Sequence, residues 1–388
     1  MTGPRVAGVG VTAFGRAPER TGRDLFGDAA QEAIRDAGVE HDDVEGVYYG
    51  NFMGELAEQQ GHQGPMMAEA AGVQAPATRY ETACASSGAA VRQAVRDVRN
   101  GEADVLLVGG AERMTNLGTA GATEALAIAA DDLWEVRHGM TFPGAYALMA
   151  QAYFETFGGS REDLAHIAVK NHANAIENEH AQYQREITID DVLDAPMVSS
   201  PLGLYDSCPI SDGASAAVLV SEAYAREHDL DAPVAITGTG QGGDRIALHD
   251  REHLATSPAA DAAAAEAYED AGIDGDRIDL AEVHDCFTIA EVLAIESLGL
   301  YEPGEGIGAA RRGETTAEGA VPVNLSGGLK AKGHPVGATG VGQIADVVKL
   351  LRGDHVNSDA VPDATVGVTH NAGGTVASAI VHVLEVAR

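Results

Sequence analysis

Residues 32–52 read EAIRDAGVEHDDVEGVYYGNF, and residues 266–287 read EAYEDAGIDGDRIDLAEVHDCF. Allowing one inserted residue, both spell a helix ending in Asp-Ala-Gly, an acidic loop, a short strand and a turn closing on Phe. Gly38 and Gly272 follow the helices where a left-handed cap is wanted, a conformation glycine adopts at little steric cost. The copies lie about 234 residues apart, too far for a solenoid, whose period is roughly 20–50 residues. The expected fold is therefore α/β, built from two copies of one unit.

Working outward, the first half offers strands at VAGVGV (6–11) and GVYYG (46–50), a helix over about 85–100 and a strand at DVLLVGG (104–110). The second offers strands at 234–240, 280–285, 364–370 and 375–384, with helices over about 258–272, 287–299 and 337–352. Apolar runs alternating with helices indicate sheets covered on both faces. Residues 112–205 have mixed polarity, weak periodicity and the only tryptophan, Trp134. They read as an inserted domain over the site, since long connections in compact domains are usually functional. The division expected is 1–111 with 206–230, then 112–205, then 231–388. Gly238-Thr239-Gly240-Gln241-Gly242-Gly243 matches a dinucleotide fingerprint. The polar stretch after it lacks a clear helix face or a ribose-binding acid, so the glycines read as a strand exit.

Composition narrows the partners. The chain of 388 residues carries 59 acidic and 25 basic groups, a formal charge of −34. Such a balance repels phosphate backbones and anionic lipid, which argues against nucleic-acid and membrane-surface binding. Only four residues are lysine (170, 330, 332, 349), and the acids are dispersed. That surface self-repels at low ionic strength and is screened at high salt, where the Debye length is ~3 Å at 1 M. A salt-adapted cytosol is expected, an ordinary acidic protein being the plain alternative. No apolar run reaches the ~20 residues of a membrane span, and the N-terminus lacks a signal-peptide pattern, so a soluble cytoplasmic protein is expected. Three cysteines, without a C-x-x-C pair, give neither a disulfide framework nor a structural zinc site; no metal is expected.

Four segments could carry chemistry. Cys84, in TRYETACASSGAA, sits between a strand and a helix opened by small residues; a helix N-terminus favours thiolate over thiol. A buried structural cysteine is the alternative. His334 stands in GGLKAKGHPVGATG, held by Gly and Pro ahead of another helix. His284 and Cys286 end a strand in VHDCF, suiting either a metal or acid–base work. THNAGGTVAS (369–378) is a strand, a Gly-rich turn and a strand: a plain hairpin, or a source of N–H groups for an oxyanion. Cys208, in LYDSCPISDGASA, reads as structural.

In this order, ACASSGAA, HDCF, GGLKAKGHPVGATG and NAGG resemble the thiolase family, closest to its sterol-carrier-type and archaeal branch, with a halophilic archaeon as the expected source. The resemblance covers nearly the whole chain. It implies a five-layer αβαβα sandwich of two duplicated halves with an inserted loop domain. It also implies reversible Claisen condensation of two acyl-CoA molecules to a 3-ketoacyl-CoA, an acetyl-CoA C-acetyltransferase reaction needing no cofactor beyond the thioester substrate. Cys84 would be the nucleophile, and His334 would activate it and help hold the enolate oxygen with His284. The N–H groups of Cys84 and Gly373 would form the oxyanion hole. Where most of the family has a Cys-x-Gly base, this chain has Asn371-Ala372-Gly373. Cys286 from the HDCF loop would then supply the base, with His284 as the other candidate. Met140 and Phe142 would wall the acyl pocket. Expected partners are a second copy or more (a homodimer or homotetramer), a small OB-fold/zinc-ribbon subunit and hydroxymethylglutaryl-CoA synthase. The alternatives are a 3-ketoacyl synthase or hydroxymethylglutaryl-CoA synthase-like condensing enzyme, and a non-catalytic acyl-CoA-binding subunit.

Overall fold

The two copies of the repeat fold alike. The helix Gly22–Ala37 opens on a capping box between Thr21 and Asp24 and closes on Gly38 at φ 68°. Its counterpart, Pro258–Ala271, starts on proline and closes on Gly272 at φ 71°. A single 3-10 turn follows each, His41–Asp43 and Gly275–Arg277, and then a strand. The computed structural model describes residues 3–387.

Among the described residues the strands are β1 (Arg5–Val11), β2 (Gly46–Gly50), β3 (Ala77–Tyr80), β4 (Val105–Glu112), β5 (Met197–Ser199), β6 (Leu202–Gly203), β7 (Gly213–Val220), β8 (Val234–Gly243), β9 (Leu280–Val283), β10 (Val366–Gly373) and β11 (Ser378–Val386). Nine of them run in the order β3-β2-β4-β7-β1-β8-β11-β10-β9. The order mirrors itself about the β1–β8 step. In one half β2–β4 is parallel and β4–β7 and β7–β1 are antiparallel. In the other β9–β10 is parallel and β10–β11 and β11–β8 are antiparallel. The half-sheets join where β1 runs beside β8, with Arg5 opposite Ala235 and Pro4 O accepting Ile236 N–H at 3.0 Å.

Between the half-sheets lie the helices Ser86–Arg99 and Thr339–Arg352. Val91, Val95, Val341 and Ile344 pack in one core with Val9 and Leu106 of the first half and Ile236 and Leu384 of the second. The helices 22–37 and 258–271 cover the outer faces. The layers are therefore αβαβα, as the resemblance implied.

The glycines of 238–243 do not form a strand exit. They lie inside β8, where helix 258–271 presses on the strand: a Cβ on Gly238, Gly240 or Gly242 would sit 2.1, 2.0 or 1.8 Å from the carbonyl oxygens of Ala267, Ala263 and Ala259. β1 repeats the device, since Gly8 and Gly10 meet Ala33 O at 2.3 Å and Ala29 O at 2.1 Å. The repeated Asp-Ala-Gly also acquires a role. Asp36 accepts Val9 N–H and pairs with Arg352 of the other half's central helix, while Asp270 accepts Thr239 N–H and pairs with Arg99. Each outer helix is thereby tied to the central helix of the opposite half.

The segment 112–205 holds more helix than its weak periodicity suggested: Gly118–Ala127, Phe142–Phe157, Arg161–Asn174 and Ile189–Asp194. Helix 161–174 buries Lys170, Asn171, His172 and Asn174 among its apolar residues, which blurs the polar–apolar alternation. Lys170, Lys330 and Lys332 are all buried, and no lysine among the described residues is fully exposed.

Gly240→Ala tests the strand–helix contact. Both contacting groups are backbone and cannot swing aside, so a stability loss of about 3 kcal/mol is expected by thermal or denaturant melting. Stability equal to that of the parent chain would refute the reading.

Candidate active site

Cys84 is presented by a strained turn. Ala83 before it stands at φ 50°, in the left-handed region that a side chain disfavours. Ser86 stabilises this turn by donating its hydroxyl to Ala83 O (2.6 Å) and accepting Thr82 N–H (3.0 Å). Helix 86–99 starts immediately after.

The opposite half brings the other groups. His334 precedes helix 339–352 on a turn that Glu112, at the end of β4, anchors by accepting Gly337 N–H (3.1 Å). Glu112 also accepts the N–H groups of Phe52 and Met53 and the Asn51 amide. Its burial raises its pKa to about 7. His284 follows β9. A ring nitrogen of each histidine and the Cys84 sulfur lie within 4.8 Å of one another. The imidazoles meet edge to face with centroids 4.9 Å apart.

The hydrogen-bond partners dictate opposite tautomers for the two rings. Thr339 donates its hydroxyl to Pro335 O (3.1 Å), so its oxygen accepts His334 Nδ1–H at 2.7 Å. The His334 Nε2 lone pair is thereby left free. Asn371 donates its amide to Cys84 O (3.0 Å) and faces His284 Nδ1 at 3.2 Å. Because a carbonyl can only accept, the amide nitrogen occupies this place, and His284 Nδ1 must accept as well. Nε2 of His284 then carries the proton, and it has no partner among the described residues. One imidazole is set to take a proton and the other to give a hydrogen bond.

Cys84 and His334 border a cavity of about 460 Å³ whose wall also includes Cys286, Phe287, Phe142 and Gly374. His284 stands behind that wall at 1% exposure. Phe142 faces the cavity, whereas Met140 packs into the neighbouring apolar cluster. Cys208, expected to be structural, also lines the cavity, its N–H bonded to Cys286 O at 2.9 Å. All three cysteines therefore face one space. Gly373 ends β10, and the turn residue after it, Gly374, directs its N–H at the Cys84 sulfur.

Burial opposes the thiolate expected at Cys84. Burial pushes its pKa up to about 12, outweighing the nearby N–H groups. Burial raises Cys286 well above its usual value, lowers His334 to about 3 and lowers His284 well below its usual range. The resting site is neutral, two thiols and two imidazoles. The sequence concealed the parts played by Thr339 and Gly374, which depend on contacts made in the fold. Only Thr339, five residues beyond His334 on the same turn, had a local signal.

The first half of the chain, residues 6–223, matches the family model "Thiolase, N-terminal domain", and residues 240–386 match "Thiolase C-terminal domain-like". An acetyl-CoA acetyltransferase of Methanothermobacter thermautotrophicus is 43% identical over 98% of both chains. Another, from Methanocaldococcus jannaschii, is 39% identical over 98% of both. Human sterol carrier protein 2 is 31% identical over 95% of this chain and 69% of its own. Among solved structures, a chain of an "Ltp2-ChsH2(DUF35) aldolase" superposes with a TM-score of 0.84 at 27% identity, covering 100% of this chain and 98% of its own.

Thr339→Val removes the acceptor that fixes the His334 tautomer. Acylation by acetyl-CoA is expected to slow by roughly 100-fold, as when a ring loses the group that orients it. Thr339→Ser should restore most of the rate. Rapid-quench mass spectrometry would measure both, and an unchanged rate in the valine variant would remove the tautomer assignment.

Proposed function

The chain belongs to the thiolase family, and from that premise we propose an acetyl-CoA C-acetyltransferase in which Cys84 is the acylated nucleophile and Cys286 the acid–base group. The observation that carries this reading is the meeting of Cys84, His334 and His284 within 4.8 Å beside a cavity that Cys286 also lines.

The steps balance. His334 Nε2 takes the Cys84 proton as the sulfur attacks the thioester carbonyl of the first acetyl-CoA. The C–S bond to coenzyme A breaks, and its sulfur leaves with the proton of Cys286. An acetyl-Cys84 thioester remains, with an imidazolium at His334 and a thiolate at Cys286. Burial disfavours either charge alone, so the two appear together as a pair. The Cys286 thiolate then removes an α-proton from a second acetyl-CoA, and His334 and His284 Nε2–H hold the enolate oxygen. The enolate carbon attacks the Cys84 thioester, whose oxyanion is met by the N–H groups of Cys84 and of the 373–374 turn. Collapse expels Cys84 sulfur, which recovers its proton from His334. Two acetyl-CoA thereby give acetoacetyl-CoA and coenzyme A.

This assignment prefers Cys286 over His284 as the base, because the only free nitrogen of His284 carries its proton. In mass spectrometry after acetyl-CoA addition, Cys84→Ala is expected to show no acetyl adduct and no turnover. Cys286→Ala should still gain the adduct while condensation falls by ~10²–10⁴-fold, the usual worth of a positioned acid–base group. Wild-type protein without an adduct on Cys84 would sink the scheme.

The proposal extends to a homo-oligomer with the inserted segment 112–205 as a distinct domain, and to a small OB-fold/zinc-ribbon partner. The partner is supported by the aldolase neighbour's title, which pairs its chain with a DUF35 protein, and by burial of three of the four lysines that could meet coenzyme A phosphates. Full activity of the chain alone would remove it. No helix among the described residues is long and apolar enough to cross a membrane; a cytoplasmic, salt-adapted setting is proposed on the charge of −34. The melting temperature is expected to rise from about 0.1 M to about 1 M KCl as the Debye length shortens from ~10 to ~3 Å. A flat or falling curve would refute salt adaptation.

A further inference from the structure

Tyr146 is a fully buried polar side chain on the cavity wall that the steps above do not use. It sits in helix 142–157 at 1% exposure, its ring stacked on Phe287 with centroids 4.6 Å apart. Its hydroxyl donates to Gly374 O at 2.9 Å and lies against the Cys286 thiol. Gly374 is also the residue whose N–H faces Cys84. One hydroxyl therefore touches the base and the turn that serves the nucleophile.

A phenol has a single proton to donate. While Cys286 is a thiol, the Tyr146 proton is committed to Gly374 O, and the phenol oxygen can accept from S–H. Once Cys286 has given its proton to departing coenzyme A, its sulfur becomes the strongest acceptor near that hydroxyl. A rotation about the C–O bond then turns the proton onto sulfur and releases the Gly374 carbonyl, with no bond broken and no charge moved.

We propose that Tyr146 is a positioning residue whose hydroxyl proton switches from the Gly374 carbonyl to the Cys286 thiolate, making that thiolate accessible for removal of the substrate's α-proton. The inference rests on the reading that Cys286 is the base. The other ionisable groups bearing on Cys286 are Cys84 from the nucleophile turn, Cys208 ahead of β7, the adjacent Asp285, and buried Lys330. Arg251, which donates to Thr375 O at 2.6 Å, also bears on Tyr146 through its charge. Lys330 favours the thiolate, and the carboxylate and the other thiols oppose it. Tyr146 is the neutral hydroxyl donor that can follow the change at Cys286. Burial holds its own pKa well above the usual value, so it stays a donor throughout.

The test separates the two half-reactions in Tyr146→Phe. The final extent of Cys84 acetylation, read by mass spectrometry after long incubation, should match wild type, although its rate falls because acylation also generates the Cys286 thiolate. Deuterium wash-in from D₂O to the acetyl-CoA methyl should fall roughly 10–100-fold, the worth of one hydrogen bond to a charged group. The rising limb of its pH profile should move up by about one to two units. Incorporation of 3,5-difluorotyrosine at 146, isosteric and a stronger donor, should move that limb down, a readout that survives if the Phe variant folds poorly. Wash-in at the wild-type rate with an unmoved limb in Tyr146→Phe, or an unmoved limb in the fluorinated protein, would overturn the inference. Cys286→Ala separates the failures. If it still exchanges methyl protons, the assignment of the base is wrong. If it is silent while Tyr146→Phe exchanges normally, only the role of Tyr146 is lost.

Discussion

The site depends on how closely the two central helices approach at their first turns. A Cβ on Gly340 would sit 2.4 Å from Gly88 N, and Asn371 fills what space remains, 2.5 Å from that Cβ and 2.7 Å from one on Gly88. Only because neither helix carries a side chain there can two N-termini from different halves open onto one cavity. Helix 86–99 then delivers Cys84 and helix 339–352 delivers His334. Separating them by one methyl group would move the Cys84 sulfur from the His334 ring by a distance comparable to a hydrogen bond's tolerance, enough to cost orders of magnitude in the rate of the proposed reaction.

Close approach brings burial, and burial decides the electrostatics. Every reactive group is driven toward its neutral form: Cys84 and Cys286 upward, His334 and His284 downward. A permanently ionised thiolate here would be an unpaired buried charge, which is costly. A neutral site avoids that cost and generates its charges only in pairs, when substrate arrives and a proton has somewhere to go. Beneath it, permanent charges are compensated. Lys170 pairs with Glu291 at 3.0 Å, and Asn171 links Glu291 to Asp285, next to Cys286. That network fixes the HDCF loop from behind the cavity wall.

Much of this was legible in the sequence because it was local. The repeat announced the duplication, and both Asp-Ala-Gly ends fold as helix caps. Cys84 and His334 stood out through the small residues around them, which the packing of Gly88 against Gly340 explains. Contacts distant along the chain stayed hidden. Nothing local distinguishes Tyr146 from another helical aromatic, and the amide of Asn371 reaches Cys84 across 287 positions. For Cys84 the helix N-terminus is visible in sequence, whereas the desolvation that opposes its thiolate is not. Gly238 to Gly243 were misjudged for a related reason: glycine in a strand is a request for space, and only the partner helix shows who fills it.

The duplication also explains why the two halves need each other. Glu112 ends β4 and reaches across to Gly337 N–H, the turn before helix 339–352. Near the end of β10, its counterpart in the mirrored order, Asn371 reaches back to Cys84 O, the turn before helix 86–99. Each half's strand end therefore holds the other half's helix start. At the first crossing the ligands around Glu112 are backbone amides and Asn51, so the clasp is structural. At the second the same geometry also faces His284, so the clasp sets a tautomer. The two equivalent contacts thus differ in what they hold: one fixes a turn, and the other also fixes the tautomer of a ring beside the cavity. The site cannot form in either half alone, since each supplies the group that orients the other's reactive turn.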